Sequence, residues 1–495
     1  MDIEQAFAQD FVAIADLIGA HAAREPRHSA LVQGERTLDY ASLDALMDRV
    51  AAALQRDGIR PRETIAICAA NSIDYAALFL GALRAGVAVA PLAPSSTAES
   101  IASMVADCGA KRLFTLAGRE FEDWLAPAGA KPERVAVQPD WPFNIIYSSG
   151  TTGVPKGIVQ SHAMRWGHMR RGKTYGYGLR AVTLLSTPLY SNTTLVSFFP
   201  TLALGGTVVL MAKFDVAQYL ALAEKHRVTH TMLVPVQYQR IMAHPDFDKY
   251  DLSSFRMKFS TSAPFPAALK AEVLRRWPGG LIEVYGMTEG GGTCILAAHE
   301  HPNKLHTVGR PAEGHDIRLI DEQGREVAPG EAGEVVGRSP LMMTGYHNQP
   351  QKTAEAEWHD ASGKRFIRTG DVGRFDADGF LTLLDRKKDM IISGGFNIYP
   401  SDLEAVLGAH PGVAEVAVVG VPSERWGETP VAFVVPKPGA APHAADLLAW
   451  ANARLGKTQR LADLRLAAEL PRSAIGKVLK RALRDAYRPA GAASD

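Results

Sequence analysis

Residues 147–157 have the sequence Tyr-Ser-Ser-Gly-Thr-Thr-Gly-Val-Pro-Lys-Gly, and the rest of the chain is best interpreted from this stretch. It follows the short apolar run Phe143-Asn-Ile-Ile146, which predicts a strand. Its glycines let a ligand approach the backbone, where successive N–H groups can converge on an anion. We therefore predict a polyphosphate-binding loop, and the alternative for such a cluster is a polar surface turn. Further donors come from the side chains of Ser148, Ser149, Thr151, Thr152 and Lys156.

This stretch is not the Walker A loop of P-loop NTPases, which has the pattern G-x-x-x-x-G-K-[ST]. Counting from Gly150, the residue before Lys156 is Pro155, where Walker A has glycine. Gly157 then stands where a serine or threonine would hold the metal. The match to Walker A therefore fails.

Composition limits the class of protein. A chain of 495 residues exceeds what one hydrophobic core normally serves, so we expect two or more domains. The net charge of +1 gives no general attraction to nucleic acid or to anionic membranes. The 3 cysteines are scattered, which predicts neither a disulfide framework nor a metal cluster and favours a reducing compartment. The acidic N-terminus lacks a signal-peptide pattern, and we expect a cytoplasmic protein.

Apolar periodicity predicts an α/β fold. Helical spacing at Ser42–Leu54 and Tyr75–Ala85 alternates with strands at Thr64–Cys68 and Val87–Pro91. Such alternation indicates a large domain of largely parallel, helix-covered sheets. The long apolar run at 193–211 contains a proline and two glycines, so we expect a buried helix followed by a buried strand and no membrane span.

The pattern changes near residue 315, where strands separated by Gly, Asp and Pro turns predict a β-rich subdomain reaching about residue 385. The charged segment Asp385-Arg-Lys-Lys-Asp389 is expected to be an exposed joint. A compact α+β segment follows. Its first helix is predicted to have Ser401 as N-cap, Glu404 completing a capping box, and Gly408 at its end. We expect disorder in the tail at 488–495.

Two further motifs suit a nucleotide. Val284-Tyr-Gly-Met-Thr-Glu-Gly-Gly-Gly292 offers an aromatic face for a purine, a hydroxyl for phosphate, and a carboxylate for a phosphate-bridging Mg²⁺. In Arg368-Thr-Gly-Asp371, a carboxylate after a tight turn can accept from both ribose hydroxyls. Each pattern alone also fits an ordinary glycine-containing turn.

Together, these motifs resemble those of AMP-forming acyl- and aryl-CoA synthetases of the acyl-adenylate-forming (ANL, AMP-binding) superfamily, similar to 4-chlorobenzoate– and 4-coumarate–CoA ligases. Three later stretches match the family in order and spacing: 385–389, Ile391-Ile-Ser-Gly-Gly-Phe-Asn-Ile-Tyr-Pro400, and Pro471-Arg-Ser-Ala-Ile-Gly-Lys477. The resemblance covers almost the whole chain. It implies a large N-terminal domain at 1–387 and a small mobile α+β domain at 388–495, which rotates about a hinge at Lys388.

The resemblance also implies roles for the matching residues. Catalytic roles fall to Lys477, Thr151, Lys156 and Glu289, and Glu289 is also the implied Mg²⁺ ligand. Contacts to coenzyme A fall to Ser393, Gly394, Gly395 and Trp426. Contacts to ATP and AMP fall to Ser148, Ser149, Gly150, Thr151, Thr152, Gly153, Lys156, Tyr285, Gly286, Thr288, Asp371 and Arg386. Asp385 is a departure, because most families have glycine there.

The acid pocket departs further from its relatives. Amino-acid-activating domains place an Asp near Ser191 to pair with the substrate ammonium, and this chain has no carboxylate there. A buried unpaired ammonium is costly, so an amino acid is disfavoured. Many CoA synthetases have a gating His at the Ser191 position, and its absence puts that gating role in doubt. By position, the implied pocket walls are Tyr190, Ser191, Asn192, Gln237, Ser262, Ala263, Gly286, Gly290 and Gly291.

The implied activity is ATP-dependent ligation of a carboxylic acid to coenzyme A, through acyl-AMP and with release of pyrophosphate. The acid is aryl, aryl-propenoic or medium-chain acyl, and we favour the aromatic classes. Two alternatives stay open: transfer to the phosphopantetheine of a carrier protein, and a non-catalytic nucleotide-binding regulator. The oligomeric state stays open, a homodimer included.

Overall fold

A computed structural model describes residues 2–148, 156–386, 389–393, 396–423, 425–456, 459–472 and 478–487, with backbone alone at Ser148, Arg386, Phe396 and Asn397. The chain divides into two compact units. Unit 1 comprises Met1–Ile317 and Gly337–Ile367, and unit 2 comprises Arg318–Val336 and Arg368–Asp495. The predicted domain boundary at 387 and 388 stays a prediction, since both residues lie outside the described ranges.

The described helices follow the predicted periodicity, and several begin at a side-chain cap. The Asp39 carboxylate accepts from Ser42 N, and the Ser72 hydroxyl accepts from Tyr75 N. The helices are α1 Ile3–Phe7, α2 Ile14–Arg24, α3 Tyr40–Arg56, α4 Ile73–Arg84, α5 Ala98–Asp107, α6 Glu120–Trp124, α7 His162–Arg171, α8 Asn192–Ala203, α9 Val216–Lys225, α10 Pro235–Met242, α11 Ala267–Arg276, α12 Pro350–Glu355, α13 Pro400–Gly408, α14 Ala444–Asn452 and α15 Lys480–Ala486.

The strands include every strand predicted above. They are β1 Ser29–Gln33, β2 Arg36–Asp39, β3 Thr64–Cys68, β4 Ala88–Leu92, β5 Leu113–Phe114, β6 Pro142–Ser148, β7 Lys156–Ser161, β8 Val182–Leu185, β9 Thr207–Leu210, β10 His230–Leu233, β11 Met257–Ser260, β12 Gly280–Gly286, β13 Thr293–Ala297, β14 Arg310–Pro311, β15 Asp316–Ile320, β16 Gly333–Arg338, β17 Gly345–Tyr346, β18 Glu357–His359, β19 Arg365–Phe375, β20 Leu381–Arg386, β21 Ile391–Ser393, β22 Phe396–Ile398, β23 Val413–Ser423, β24 Gly427–Pro436 and β25 Asp463–Leu466.

Unit 1 contains two large mixed sheets. The first has the order β14-β13-β12-β11-β10-β8-β9-β1-β2; it is parallel from β12 to β1 and antiparallel at both edges. The second has the order β17-β7-β6-β4-β3-β5, with β7 antiparallel to both of its neighbours. Parallel strands buried on both faces account for their continuous apolar runs. The predicted α/β fold with mixed sheets is confirmed.

The core of unit 1 is formed mainly by α2, α3, α4 and α8 together with buried strand residues. Phe143 at the start of β6 lies edge-on to Phe199 of α8, with ring centroids 4.9 Å apart. The apolar run at 193–211 is a buried helix and a buried strand, as predicted. Among the described residues, no helix has the length and apolar composition needed to cross a bilayer.

Unit 2 contains a sheet with the order β22-β21-β24-β23, with β25 parallel to β24. Leu403 and Leu407 of α13 join Ile391, Val418 and Leu447 in its apolar core. The chain from 316 to 386, which contributes residues to both units, forms six strands, β15 to β20, and one described helix, the short α12, which agrees with the predicted β-rich character.

Two predictions in unit 2 are wrong. Ser401 is not the N-cap of α13, which begins at Pro400, and Glu404 forms no capping box. The Glu404 carboxylate instead accepts from Val418 N at 2.8 Å and lies 2.9 Å from Lys480 Nζ. Asp385 is not exposed: its side chain is 8% exposed and accepts from Ser401 N at 3.0 Å. The predicted end of α13 at Gly408 is confirmed.

Candidate active site

The predicted phosphate loop joins two neighbouring antiparallel strands. Ser148, the last residue of β6, pairs with Lys156, the first residue of β7, and Tyr147 pairs with Gly157. Residues 149–155, which include Thr151 and the other predicted phosphate contacts of the loop, lie outside the described residues. The described strands nevertheless fix where the loop leaves the sheet and where it returns.

Lys156 and Glu289, two predicted catalytic residues, are linked through one tyrosine. The Lys156 ammonium lies 4.9 Å from the centroid of the Tyr346 ring, a distance at which the ring face attracts a cation. The Tyr346 hydroxyl donates to Glu289 Oε1 at 2.9 Å. Burial, followed by the nearby Glu289 carboxylate, raises the pKa of the Tyr346 phenol, which therefore stays a hydrogen-bond donor. The structure thus brings together residues 133 positions apart in sequence, from 156 to 289.

Sequence reasoning missed Tyr346. The residue belongs to β17, in which Tyr346 pairs with Ile158 and Gly345 pairs with Val159 of β7. The same segment reaches the other motif, because Met343 N donates to the Glu289 carbonyl at 2.8 Å. The only hint in the sequence was a tyrosine after a glycine in a short polar stretch. Its link to Lys156 and Glu289 becomes visible only through the pairing of β17 with β7.

The Thr288–Glu289 segment is also held from β7. Gln160 Nε2 donates to the Thr288 carbonyl at 2.7 Å. Tyr285 and Gly286 lie upstream in β12, paired with Cys294 and Thr293 of β13. The predicted purine, phosphate and metal contacts therefore follow one another at the end of a strand of the nine-stranded sheet.

Two glycines of the same motif are required by close packing. Gly290 has φ +74°, and a Cβ there would lie 2.7 Å from the Leu341 carbonyl oxygen. A Cβ on Gly291 would lie 2.6 Å from Ile367 Cβ. Any larger residue would displace the segment, so these glycines have a structural reason independent of a ligand. Their predicted role as pocket walls stays a prediction.

The residues around Glu289 fit a Mg²⁺ ion that is held mainly by substrate phosphates. One oxygen of the half-buried carboxylate accepts from Tyr346, and no described residue hydrogen-bonds the other. Within the described ranges, no group of three or more His, Cys, Asp or Glu residues could form a protein cage for a metal. Mg²⁺ commonly takes one or two carboxylates, waters and phosphate oxygens, so a single carboxylate beside a phosphate loop suits it.

In unit 2 the predicted ribose contacts lie side by side. Asp371 of β19 pairs with Arg386 of β20. The turn before Asp371 is fixed by Thr369, whose hydroxyl donates to the Val335 carbonyl at 2.9 Å and accepts from Asp371 N at 3.0 Å. Gly370 has φ +71°, a conformation that glycine adopts without strain.

The predicted coenzyme A contacts are partly described. Ser393 of β21 pairs with Gly427, the residue after Trp426. The Trp426 side chain is 48% exposed, and the Arg425 guanidinium carbon lies 4.7 Å from its ring centroid. Gly394 and Gly395 lie outside the described residues, as do the predicted hinge Lys388 and the predicted catalytic Lys477.

The predicted acid pocket contains polar side chains that largely satisfy one another. Ser191 caps α8, accepting from Thr193 N, and the Thr193 hydroxyl lies 2.6 Å from the Ser262 hydroxyl. Ser262 has φ +78°, which is strained for a residue with a side chain. Gln237 Nε2 donates to the Ser186 hydroxyl at 3.2 Å, and Gln237 Oε1 accepts from Val234 N, at the start of the same helix, at 3.1 Å.

The other predicted wall residues differ in burial. Asn192 is half-buried, and its Oδ1 has no hydrogen-bond partner among the described residues. Tyr190 is half-buried, Ala263 is half-buried and Gly286 is exposed. Burial raises the pKa of the Tyr190 phenol.

Comparison with known proteins agrees with this geometry. Residues 18–347 match the family model described as AMP-binding enzyme, and residues 402–477 match the AMP-binding enzyme C-terminal domain. The chain belongs to the AMP-binding enzyme family.

Relatives that the chain matches over nearly their whole length include CoA ligases. The chain is 35% identical to the indoleacetate–CoA ligase of Aromatoleum aromaticum, over 94% of this chain and 96% of the relative. It is 35% identical to a feruloyl-CoA synthase of Amycolatopsis sp, over 93% and 96%. The solved structure of ATP-bound MatB from Rhodopseudomonas palustris superposes with a TM-score of 0.86 at 29% identity, covering 96% of this chain and 99% of that one.

These findings confirm the main sequence predictions. The chain is an AMP-forming acid–thiol ligase of the acyl-adenylate-forming superfamily, and the family uses ATP, Mg²⁺ and coenzyme A. The alternative hypothesis of a non-catalytic nucleotide-binding regulator is not favoured, because these relatives are named as a ligase and a synthase.

Proposed function

We propose that this AMP-binding enzyme joins an aromatic or aryl-propenoic carboxylic acid to free coenzyme A in two steps. The observation that carries the proposal is the arrangement of Lys156, Tyr346 and Glu289 at the base of the phosphate-loop hairpin. This arrangement places the Lys156 ammonium over the Tyr346 ring and the Glu289 carboxylate at the Tyr346 hydroxyl. The loop that precedes Lys156 has a sequence rich in hydrogen-bond donors for an anion. A polyphosphate and its metal need both charges close together.

The first step forms an acyl-adenylate. A carboxylate oxygen of the acid attacks the α-phosphorus of ATP, and the bond between the α-phosphorus and the bridging oxygen to the β-phosphate breaks, releasing pyrophosphate. Lys477 bridges the acid and the α-phosphate and offsets their repulsion, while Thr151 and Lys156 hold the departing phosphates. Glu289 would be the carboxylate ligand of Mg²⁺, which when bound neutralises phosphate charge.

The nucleoside is held by residues of the motifs at 284–292 and 368–371. Tyr285 stacks on the adenine, Thr288 donates to a phosphate, and Asp371 accepts from the ribose hydroxyls with Arg386 beside it. The pairing of Asp371 with Arg386 across β19 and β20 supports this assignment.

The second step transfers the acyl group. The small domain rotates about Lys388, withdraws Lys477 and presents Ser393, Gly394 and Gly395 to the pantetheine arm. The thiolate of coenzyme A attacks the acyl carbonyl carbon, the bond to the AMP oxygen breaks, and AMP leaves. Trp426, the residue before the Gly427 that pairs with Ser393, contributes an exposed aromatic face.

The names of relatives support an aromatic acid, and the polar side chains of the predicted pocket disfavour an amino acid. Relatives are named for indoleacetate and for a feruloyl product, both of which carry a flat ring. The Thr193, Ser262 and Gln237 side chains pair with neighbours of their own, so a substrate ammonium would lack a strong partner there. Location in the cytoplasm and assembly as a homodimer stay part of the proposal.

The test is pyrophosphate release across a panel of benzoates, indoleacetate, hydroxycinnamates, linear fatty acids and amino acids, each with and without coenzyme A. Mass spectrometry should find a CoA thioester with the aromatic acids. Acid-dependent pyrophosphate release without any CoA thioester would instead favour a carrier-protein acceptor, and no acid-dependent release would refute the proposal.

The matched variant is Lys477→Ala. It should lower adenylation by about a hundredfold or more, the usual effect of losing one transition-state contact. Thioester formation from preformed acyl-adenylate should change far less. Equal losses in both steps would show that Lys477 is not specific to the first.

A further inference from the structure

A fully buried polar network lies between the phosphate-loop hairpin and the Thr288 carbonyl. Its members are Asn144 of β6, Gln160 of β7 and Arg165 of α7, each 0% exposed. Arg165 Nε donates to Asn144 Oδ1 at 2.9 Å, and Arg165 Nη2 donates to Gln160 Oε1 at 2.5 Å. Asn144 Nδ2 donates to the same Gln160 oxygen at 2.9 Å.

These contacts determine how the Gln160 amide is oriented. Two donors converge on Oε1, so the amide cannot flip without bringing its NH₂ group against both of them. Nε2 is therefore directed to the other side, where it donates to the Thr288 carbonyl at 2.7 Å. A series of hydrogen bonds therefore runs from Arg165 through the Gln160 amide to the Thr288 carbonyl.

Burial of the Arg165 guanidinium at this position is unfavourable for the free energy of folding. Among the described residues, no carboxylate pairs with it, and its remaining terminal nitrogen has no hydrogen-bond partner. Its guanidinium carbon lies 5.8 Å from the Phe143 ring and 5.7 Å from the Phe199 ring. Burial lowers the pKa of this guanidinium to about 9. A buried cation without a carboxylate partner opposes folding, so what Arg165 contributes at this position is its two hydrogen bonds, which hold Asn144 and Gln160.

The strand geometry shows what the network connects. Lys156, Ile158 and Gln160 alternate along β7 and so lie on one face of it. Tyr346 pairs opposite Ile158, on the face that also carries the Lys156 contact. One strand face therefore holds the loop lysine at one end and the Thr288–Glu289 backbone at the other.

We propose that Gln160 is a positioning residue for adenylation, which fixes the Thr288–Glu289 segment relative to Lys156, and that Arg165 and Asn144 act by orienting its amide. The inference rests on the proposed function for the roles of Thr288 and Glu289. It adds a residue that makes no contact with substrate and is absent from the motifs that identify the family here.

The experiment compares two variants of the full-length enzyme that place a carboxylate in the same network. Gln160→Glu keeps an acceptor for Arg165 and Asn144 but loses the donor to the Thr288 carbonyl. Asn144→Asp keeps the acceptor for Arg165 but removes one of the two donors to Gln160 Oε1, so that Arg165 alone orients the amide while its donor to Thr288 stays present. The readouts are MgATP affinity by calorimetry without any acid, KM for ATP and for the acid in pyrophosphate release, thioester formation from preformed acyl-adenylate, and melting temperature.

For Gln160→Glu we expect MgATP binding and kcat/KM for ATP to fall by about tenfold or more, the order of effect when a partly buried acceptor loses its donor. KM for the acid and thioester formation should stay within about twofold for both variants. Asn144→Asp, in which Arg165 still holds the Gln160 amide, should lower MgATP binding clearly less than Gln160→Glu does. Equal effects of the two variants, or equal loss in both half-reactions, would overturn the proposal.

Gln160→Met, which is similar in size and uncharged, provides a second variant in case the carboxylate prevents folding. It should show the same selective loss for ATP. If neither Gln160 variant yields folded protein, the residue serves stability and the proposal is wrong. Because MgATP binding needs no acid, failure of the acid panel would refute the proposed ligase activity and leave this comparison intact.

Discussion

Tyr346 makes two separable contacts in the active site, so its replacement gives a graded prediction. Tyr346→Phe removes the hydroxyl that donates to Glu289 at 2.9 Å and keeps the ring beneath the Lys156 ammonium. Tyr346→Leu removes both contacts. The first variant should affect the placement of Glu289 alone, and the second should also release Lys156.

The sizes of the two effects follow from the contacts. A hydrogen bond to a charged group contributes about 1.5–3 kcal/mol, and because Glu289 is half-buried the lower end applies, or about tenfold in adenylation kcat/KM. A cation lying over a ring in a partly exposed site adds about 0.5–1 kcal/mol. Tyr346→Leu should therefore be slower than Tyr346→Phe by a further two- to fivefold, roughly.

The assay is acid-dependent pyrophosphate release at varied ATP and Mg²⁺, with thioester formation from preformed acyl-adenylate as the control step. In a Glu289→Gln background, Tyr346→Phe should have much less effect, because the charged acceptor is already gone. Unchanged adenylation in a folded Tyr346→Phe enzyme would refute the reasoning. So would an equal loss in the control step.

Three further results are expected. Asp371→Asn should lower kcat/KM for ATP by about tenfold or more and should remove most of the preference of the enzyme for ATP over 3′-deoxy-ATP; an unaltered preference would exclude a ribose contact. Trp426→Ala should raise KM for coenzyme A by roughly three- to tenfold, the worth of one aromatic contact, and leave pyrophosphate release unchanged; a matching loss of pyrophosphate release would contradict its assignment to the second step. Burial lowers the pKa of His162 from 6.5 to about 3, so the folded state binds fewer protons than the unfolded state between these values, and stability present above pH 6.5 is lost as the pH falls. At pH 5 this costs about 2 kcal/mol, so the melting temperature of His162→Gln should fall less between pH 7 and pH 5 than that of the unmodified protein, and parallel curves would refute it.

Local patterns in the sequence were sufficient for most of the fold. The strands at 64–68 and 143–146 and the helix at 42–54 were predicted from periodicity, because burial of one face or of a whole strand decides them. The hairpin that carries the phosphate loop was predicted only in part, because the strand before the loop was expected and its antiparallel partner β7 was not. The family motifs then placed the remaining site residues in order along the chain.

Long-range contacts decided the rest. Glu404 would suit a capping box three residues after Ser401, but Val418 N and Lys480 provide it with stronger partners from other elements. Pro400 was the better local signal, because proline is favoured at the first position of a helix. Tyr346 and Arg165 could not be predicted as site residues, since nothing near them in sequence indicates Glu289 or Gln160 as their partner.

The discontinuous course of the chain has a consequence for synthesis on the ribosome. Unit 1 needs residues up to Ile367, so it cannot be complete until 367 of the 495 residues have been made. Residues 318–336 belong to unit 2 and leave the ribosome before the last segment of unit 1 does. They must wait for residues 368 onward before they can join their own unit. Translation that pauses between these points would leave β16 without its partner strand β19, and an unpaired strand edge is prone to aggregation.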